Sequence, residues 1–234
     1  MIPLLWQNMK KIAIIVAGGT GTRMKGIIPK QFIEINGKPI IIYSLETFYQ
    51  YDHLIKFIIA LHADYFSLWE KIIRKYPVFS GHLVVPGGKT RFHSVLNALK
   101  MIEGDSLVAI HDAVRPLVSR ETISRCFKAA ETNGCAVPCL EISESVREIR
   151  STGTRPVNRD KLRTIQTPQV FKSGILGTAY KQKYRMNFTD DATVVEKAGY
   201  RITLVEGNRE NIKITTKEDL LLAKTLLDKS SIAP

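Results

Sequence analysis

The chain has 234 residues, 44% of them hydrophobic and 8% aromatic, so it can bury a core and is not expected to be disordered. Its 34 Lys and Arg outnumber 22 Asp and Glu, and the resulting charge of +12 favours anionic ligands, either phosphates or nucleic acid. No run of five basic residues occurs and aromatic residues do not alternate with basic ones, which makes a nucleic-acid-binding protein the remote alternative.

The number of cysteines and the first residues of the chain indicate the cellular compartment of the protein. Three cysteines is an odd number and no secretory leader precedes them, which predicts reduced thiols in a cytoplasmic protein. The apolar start, residues 1–6, is much shorter than a membrane span of roughly 20 residues, so no membrane segment is expected. We divide the chain into an N-terminal extension (1–10), a single domain (11–228) and a C-terminal tail (229–234).

Short β-branched runs alternate with amphipathic stretches as far as Pro138, and they predict buried strands and helices respectively. The predicted strands are Ile12–Val16, Lys56–Leu61, Leu83–Pro86, Leu107–Ile110 and Ala136–Val137. The predicted helices between them are Pro39–Tyr49, Phe66–Lys75, Arg91–Met101 and Glu121–Thr132. This β-α-β series predicts an α/β, Rossmann-like fold with a mostly parallel twisted sheet flanked by helices.

The pattern changes after Pro138. Residues 141–163 are polar, carry Gly153 and Pro156, and alternate at Val146–Ile149, which predicts an exposed two-stranded arm. We treat about 139–163 as this β-arm insertion and expect it to bind a partner chain. The elements predicted beyond it are helices Lys172–Lys183 and Asp191–Lys197, strand Arg201–Val205 and a last helix near Glu218–Leu227.

The first strand leads directly into a glycine-rich segment that runs from Val16 to Lys30. Glycines let backbone N–H groups face an anion with no Cβ in the way. The segment is neither a Walker loop, since no Gly-Lys-Ser/Thr closes it, nor a dinucleotide fingerprint, since Met24 replaces the third glycine. Arg23 and Lys30 add positive charge, which suits the negative charge that builds up at a phosphorus atom during displacement. The segment therefore predicts a nucleotidyltransferase.

Four further segments can carry chemistry. Asp112 directly follows a strand, where it can hold Mg²⁺ on phosphates, hold a substrate hydroxyl, or only cap a helix. Pro86–Ser94 can close over a base. Gln166–Phe171 and Asn211–Thr215 offer Thr167 and Lys213, although a strand at the edge of the core explains either as well. No paired nucleophile and base is found, which fits a transfer in which the substrate's own phosphate attacks.

Together these segments resemble the 2-C-methyl-D-erythritol 4-phosphate cytidylyltransferases from Lys11 to Ala223. The resemblance is carried by Ala-Gly-Gly-x-Gly-Thr-Arg-Met at Ala17, Pro-Lys-Gln-Phe at Pro29, His-Asp-Ala-Val-Arg-Pro at His111, Gln-Thr-Pro-Gln-x-Phe at Gln166, Thr-Asp-Asp-Ala at Thr189 and Glu-Asn-Ile-Lys-Ile-Thr at Glu210. It implies attack by the methylerythritol phosphate oxygen on the α-phosphorus of CTP, with release of pyrophosphate, on the non-mevalonate route to isoprenoids.

The resemblance also implies roles for individual residues. Arg23 and Lys30 would stabilise the pentacoordinate phosphate, with Lys213 as a third catalytic cation. CTP would be held by Ala17, Gly18, Gly19, Gly88 and Ser94. The polyol phosphate would be held by Asp112, Arg115, Arg159, Thr167, Thr189 and Lys213.

The family is a homodimer with embracing arms, so Arg159 would reach the partner's site. Lys89 is a departure, because relatives usually carry an acidic residue there. The close alternative is a ribitol-5-phosphate cytidylyltransferase, which shares the glycine loop, the His-Asp-Ala-Val-Arg-Pro run and Gln-Thr-Pro-Gln. Residues 155–159 and 188–196 favour the methylerythritol phosphate branch.

Overall fold

The computed structural model describes residues 9–19 and 28–230, with the side chain of Ser230 excluded. The strands of these residues are β1 (Lys10–Ala17), β2 (Glu34–Ile35), β3 (Lys38–Pro39), β4 (Lys56–Leu61), β5 (Leu83–Pro86), β6 (Ser106–Asp112), β7 (Cys135–Glu141), β8 (Val146–Arg150), β9 (Gly153–Val157), β10 (Arg163–Ile165), β11 (Gln169–Lys172) and β12 (Thr203–Glu206). The α-helices are α1 (Ile40–Tyr51), α2 (Phe66–Ile73), α3 (Arg91–Leu99), α4 (Arg120–Asn133), α5 (Ser173–Ala179), α6 (Asp191–Lys197) and α7 (Lys217–Ser230).

Eight strands form one sheet in the order β10-β7-β11-β6-β1-β4-β5, and β12 also pairs with β7. The pairs joining β6, β1, β4 and β5 are parallel, as is the pair of β7 with β12. The other pairs of the sheet, which involve β10 and β11, are antiparallel. The predicted α/β fold with a mostly parallel sheet is confirmed.

Helices pack on both faces because side chains alternate along each strand. In β1, Ala13 and Ile15 face a core that contains Phe48 of α1, along with residues of α2 and α4. Ile12 and Ile14 face a second core that contains Phe92 of α3, along with residues of α5 and α6. Since both faces are covered, these strands read as continuous apolar runs, which is why they could be predicted.

The parallel strands place their following loops at one edge. Ala17 is level with Leu61 of β4, Val16 is level with Asp112 of β6, and Leu61 is level with Pro86 of β5. In an open α/β sheet the crevice outside the carboxyl ends of the strands is where ligands bind. Three of the predicted segments, those after β1, β5 and β6, therefore converge at this edge.

Three interpretations after residue 165 differ in part from the structure. Helix was predicted from Lys172 to Lys183, but α5 begins at Ser173 and ends at Ala179. The preceding residues form β11, which lies between β6 and β7 rather than at an edge of the core, with Val170 and Phe171 fully buried. Asn211–Thr215 forms no strand, although the Ile214 N–H donates to the Val114 carbonyl.

The hairpin of β8 and β9 pairs Val146 with Val157 and Arg150 with Gly153. Every residue of the two strands is exposed except the half-buried pair Val146 and Val157. The two strands are therefore present where the alternation predicted them. That this hairpin forms a dimerisation arm stays a prediction.

No α-helix within the described ranges combines the length and apolar character needed to cross a bilayer.

Candidate functional site

A cavity of about 550 Å³ opens at the carboxyl edge of the sheet. Its volume is within the range of small-molecule sites. All five residues predicted to hold the nucleotide line it, together with two of the predicted catalytic cations: Ala17, Gly18, Gly19, Gly88, Ser94, Lys30 and Lys213. Arg23 lies outside the described residues, so its role stays a prediction.

Glycines allow the loops after β1 and β5 to approach closely beside this cavity. A Cβ on Gly87 would lie 3.3 Å from the Gly18 Cα, and one on Gly18 would lie 3.0 Å from the Ser94 Oγ. A Cβ on Gly88 would lie 2.3 Å from the His93 Cβ. The Ser94 hydroxyl accepts from the Gly88 N–H at 3.0 Å and donates to the Thr90 carbonyl at 3.2 Å, so it fixes the turn before α3.

The start of the glycine segment is held by Gln31, which is buried. Its Nε2 donates to the Ala17 carbonyl at 2.7 Å and to the Gly19 carbonyl at 3.4 Å. The neighbouring Lys30 Nζ donates to the Thr215 carbonyl at 2.9 Å. The Pro-Lys-Gln-Phe motif therefore links the glycine segment to the chain that leads into α7.

Asp112, at the end of β6, is the centre of a charged cluster. Its Oδ1 is 3.2 Å from the Arg91 Nε, and its Oδ2 is 2.9 Å from the Lys213 Nζ and 3.7 Å from the Arg115 Nε. Burial alone would raise the pKa of this carboxyl group, but the three cations together hold the pKa well below its usual value. Asp112 is therefore ionised throughout the physiological range.

His111 and Thr167 fix the backbone beside Asp112. The Asp112 N–H donates to the Thr167 Oγ1 at 3.1 Å, and this hydroxyl is 3.1 Å from the His111 Nδ1. The His111 Nε2 is 3.1 Å from the Arg115 carbonyl, which can only accept, so Nε2 carries the proton and Nδ1 accepts from Thr167. Burial lowers the pKa of His111 to about 4, so the ring is neutral at pH 7.

A second cavity of about 480 Å³ adjoins the first and shares Arg91, Asp112 and Lys213 with it. Five of the six residues predicted to hold the polyol phosphate line it: Asp112, Arg115, Thr167, Thr189 and Lys213. The sixth, Arg159, lines neither cavity of its own chain. It is exposed in a short turn, where it donates to the Ser143 carbonyl.

The profile of the family described as 2-C-methyl-D-erythritol 4-phosphate cytidylyltransferase matches residues 11–229. Relatives of that name in Phocaeicola vulgatus and Porphyromonas gingivalis are 44% and 45% identical, over 94% of this chain and 100% and 99% of theirs. The chain belongs to this family.

Solved structures agree. A 4-diphosphocytidyl-2C-methyl-D-erythritol synthase from Anaerococcus prevotii superposes with a TM-score of 0.79 at 29% identity, covering 94% of this chain and 99% of that one. A Francisella tularensis 2-C-methyl-D-erythritol 4-phosphate cytidylyltransferase has a TM-score of 0.77 at 32% identity, covering 92% and 99%. The family relationship therefore extends over nearly the whole fold.

Three residues that contact or line the site, Gln166, Asn211 and Arg91, were not predicted from the sequence. Gln166 and Asn211 are buried, and the Asn211 Nδ2 donates to the Thr167 carbonyl at 2.8 Å, while the Asn211 carbonyl accepts from the Arg115 Nη1 at 2.8 Å. Arg91 lines both cavities. All three lie inside the motifs that were singled out, but only the fold shows what they contact.

Mg²⁺ would need ligands beyond the protein groups of the described residues. Within the described part of the chain, no three His, Cys, Asp or Glu side chains are grouped to hold a metal, and Asp112 is the one carboxylate among the described residues lining the first cavity. Mg²⁺ is commonly bound by one or two carboxylates plus substrate phosphates. The residues therefore fit the ion only when a nucleotide supplies further oxygens.

The buried neutral ring of His111 predicts a loss of stability in mild acid. Because its pKa falls from 6.5 to about 4 on folding, the neutral ring stabilises the fold fully above pH 6.5, and this contribution is lost as the pH falls towards 4. We expect unfolding titrations in urea to show a slope of up to about 1.4 kcal/mol per pH unit in this window that is absent in His111→Gln. Parallel pH dependences in the two proteins would contradict this.

Proposed function

We propose that this chain transfers the cytidylyl group of CTP to 2-C-methyl-D-erythritol 4-phosphate in the non-mevalonate route to isoprenoids. The products are 4-diphosphocytidyl-2-C-methyl-D-erythritol and pyrophosphate. The observation that supports this most is the pair of adjoining cavities, one lined by the predicted nucleotide residues and one by the predicted polyol residues, with Asp112 and Lys213 in the shared wall. Two phosphorylated substrates bound there meet at that wall.

The charges of the cavities suit two anions. Among the described residues, the first cavity is lined by four cationic side chains, Lys30, Lys89, Arg91 and Lys213, and by the single carboxylate of Asp112. Bringing two phosphates together in water is opposed by their mutual repulsion, and fixed cations in a cleft offset it. Lys30, Lys213 and Arg23 then stabilise the negative charge that spreads over the α-phosphate oxygens during displacement.

The reaction needs no general base. The attacking atom is an oxygen of the polyol phosphate, a monoester whose second pKa is about 6, so it is already ionised at pH 7. This oxygen forms a bond to the α-phosphorus while the bond to the bridging oxygen of the β-phosphate breaks and pyrophosphate leaves. The protein's part is positioning and charge stabilisation, without a covalent intermediate.

Mg²⁺ belongs to the proposal. When bound, the ion neutralises charge on the phosphate oxygens of the nucleotide. Asp112 is the residue that would hold it from the protein side, while Lys213 and Arg91 keep the carboxylate ionised.

The proposal also includes a homodimer in the cytoplasm. The hairpin of β8 and β9 is exposed along both strands and carries Ile149 with 78% of its surface accessible, a large apolar side chain suited to a protein contact. Arg159 follows this hairpin and faces neither cavity of its own chain. In a two-fold dimer it would serve the site of the partner subunit.

The substrate is tested by supplying CTP and Mg²⁺ with either 2-C-methyl-D-erythritol 4-phosphate or ribitol 5-phosphate. Pyrophosphate release is expected with the first polyol phosphate and with CTP in preference to ATP, GTP and UTP. A clear preference for ribitol 5-phosphate would establish the alternative transferase. Salt-sensitive DNA binding without CTP affinity would point to the remaining alternative, a nucleic-acid-binding protein.

The role of Lys30 is tested by Lys30→Met. We expect kcat to fall by about 10²- to 10³-fold, the usual effect of removing one donor that stabilises transition-state charge. Lys89→Met is the matched control, because Lys89 lines the same cavity and the family resemblance implies no catalytic role for it. It should lower kcat much less. Near-normal turnover by Lys30→Met would remove this lysine from the mechanism.

The cross-subunit role of Arg159 is tested by mixing two inactive chains, Arg159→Ala and Arg23→Ala. Random reassortment of a two-fold dimer leaves one complete site in each mixed dimer, so about a quarter of wild-type activity should return. Arg155→Ala, which changes a hairpin arginine paired with Glu148 at 2.8 Å, is the control and should stay active by itself. If every mixture stays inactive, Arg159 does not act across the interface.

A further inference from the structure

Arg91, the first residue of α3, lies between two carboxylates that come from different parts of the chain. Its Nε is 3.2 Å from the Asp112 Oδ1, and its Nη2 is 2.7 Å from the Asp191 Oδ2. The Asp191 side chain is fully buried and that of Arg91 is 24% exposed. This guanidinium group therefore joins the end of β6 to the first turn of α6.

Asp191 is itself held from the other side by Tyr180. The Tyr180 hydroxyl donates to the Asp191 Oδ1 at 2.5 Å, and its ring stacks on Phe92, the neighbour of Arg91, with centroids 4.7 Å apart. The Asp191 Oδ1 thus accepts a hydrogen bond, whereas the Oδ2 is held by the ion pair with Arg91 without a hydrogen bond. The contacts leave this side chain little freedom to turn away from Arg91.

The start of α6 is anchored by Gln169 of β11. The Gln169 Nε2 donates to the Asp190 Oδ2, and its Oε1 accepts from the Ala192 N–H, both at 2.8 Å. Thr189, which lines the second cavity, directly precedes these residues. The contacts of Asp190, Asp191 and Ala192 thus set where Thr189 stands relative to β6.

Arginine suits this place for a geometric reason. Its planar guanidinium group spreads one positive charge over several nitrogens, so Nε can donate to Asp112 while Nη2 forms an ion pair with Asp191, whereas a lysine ammonium is a point charge on a flexible stem. A buried ion pair that loses one member leaves an uncompensated charge, so the partners depend on one another. Losing the Asp191 charge would therefore alter how Arg91 meets Asp112.

We propose that Arg91, held by Asp191 and Tyr180, is a positioning residue that fixes the Asp112 carboxylate relative to Thr189 for binding of the polyol phosphate. This inference rests on the proposed function. Arg91 acts through Asp112 and needs no contact with the substrate. The nucleotide-side helix α3 and the polyol-side helix α6 are thereby joined by one charged contact.

The test is a double-mutant cycle of Asp191→Asn and Asp112→Asn, with KM measured for each substrate. Asparagine keeps the shape of Asp191 and an oxygen that accepts from Tyr180, but it removes the charge facing Arg91. We expect Asp191→Asn to raise KM for 2-C-methyl-D-erythritol 4-phosphate about tenfold, with kcat and KM for CTP changed less than about threefold. In the Asp112→Asn background it should add less than about twofold, because contacting residues are coupled.

The matched control is Lys11→Met, which breaks the ion pair between Lys11 Nζ and Asp52 Oδ2, 2.8 Å apart and partly buried. Lys11 lies near the amino end of β1, roughly 20 Å from the site at about 3.3 Å per residue. Thermal unfolding of all variants separates loss of stability from loss of positioning. Lys11→Met should lower Tm and leave both KM values unchanged.

Multiplicative effects of the two substitutions on KM for the polyol phosphate would overturn the inference, as would equal effects on both KM values. If Asp191→Asn does not fold, Tyr180→Phe takes its place in the cycle. It should raise the same KM less, about threefold, and lose that effect in the Asp112→Asn background. A wild-type enzyme that releases no pyrophosphate with this polyol phosphate would instead refute the proposed function.

Discussion

The site depends on one interaction, the buried carboxylate of Asp112 surrounded by three cations. Arg91 comes from the start of α3, Arg115 from the loop after β6, and Lys213 from the segment before α7. A carboxylate at this depth is tolerated only because these cations compensate it, so three distant parts of the chain must come together for the fold to form. This cluster lies where the two cavities adjoin, so Arg91, Asp112 and Lys213 line both of them.

The charges around Asp112 fit the proposed reaction, which needs no catalytic base. Lys30 and Lys213 line a cavity in which Asp112, paired with Lys213, is the one carboxylate among the described residues, and the neutral ring of His111 is buried between Thr167 and the Arg115 carbonyl. A phosphate nucleophile needs only to be held beside a second phosphate. Part of the positive charge behind the net +12 of the chain therefore lies in the cavity where two anionic substrates would meet.

The antiparallel strand β11 brings the second cavity to the sheet. It lies between β6 and β7, so Thr167, just before it, meets the Asp112 backbone, and Gln169 within it holds the start of α6. Gln169 thereby fixes the start of α6, and with it Thr189, relative to β6. The cavity proposed to hold the polyol phosphate is therefore built by tertiary pairing to a greater extent than the cavity proposed to hold the nucleotide.

The amino-acid sequence by itself determined the parallel strands, the helices between them and the glycine segment, because apolar runs, amphipathic periodicity and glycine act through neighbours along the chain. Asn36-Gly37, both with positive φ, is an equally local hairpin signal for β2 and β3. A strand was already one interpretation of Gln166–Phe171, but only the tertiary structure decided that β11 runs antiparallel between β6 and β7, where Val170 and Phe171 are buried. It alone also joined Arg91 to Asp112 and Asp191, since ion pairs between distant residues leave no periodic trace in a sequence.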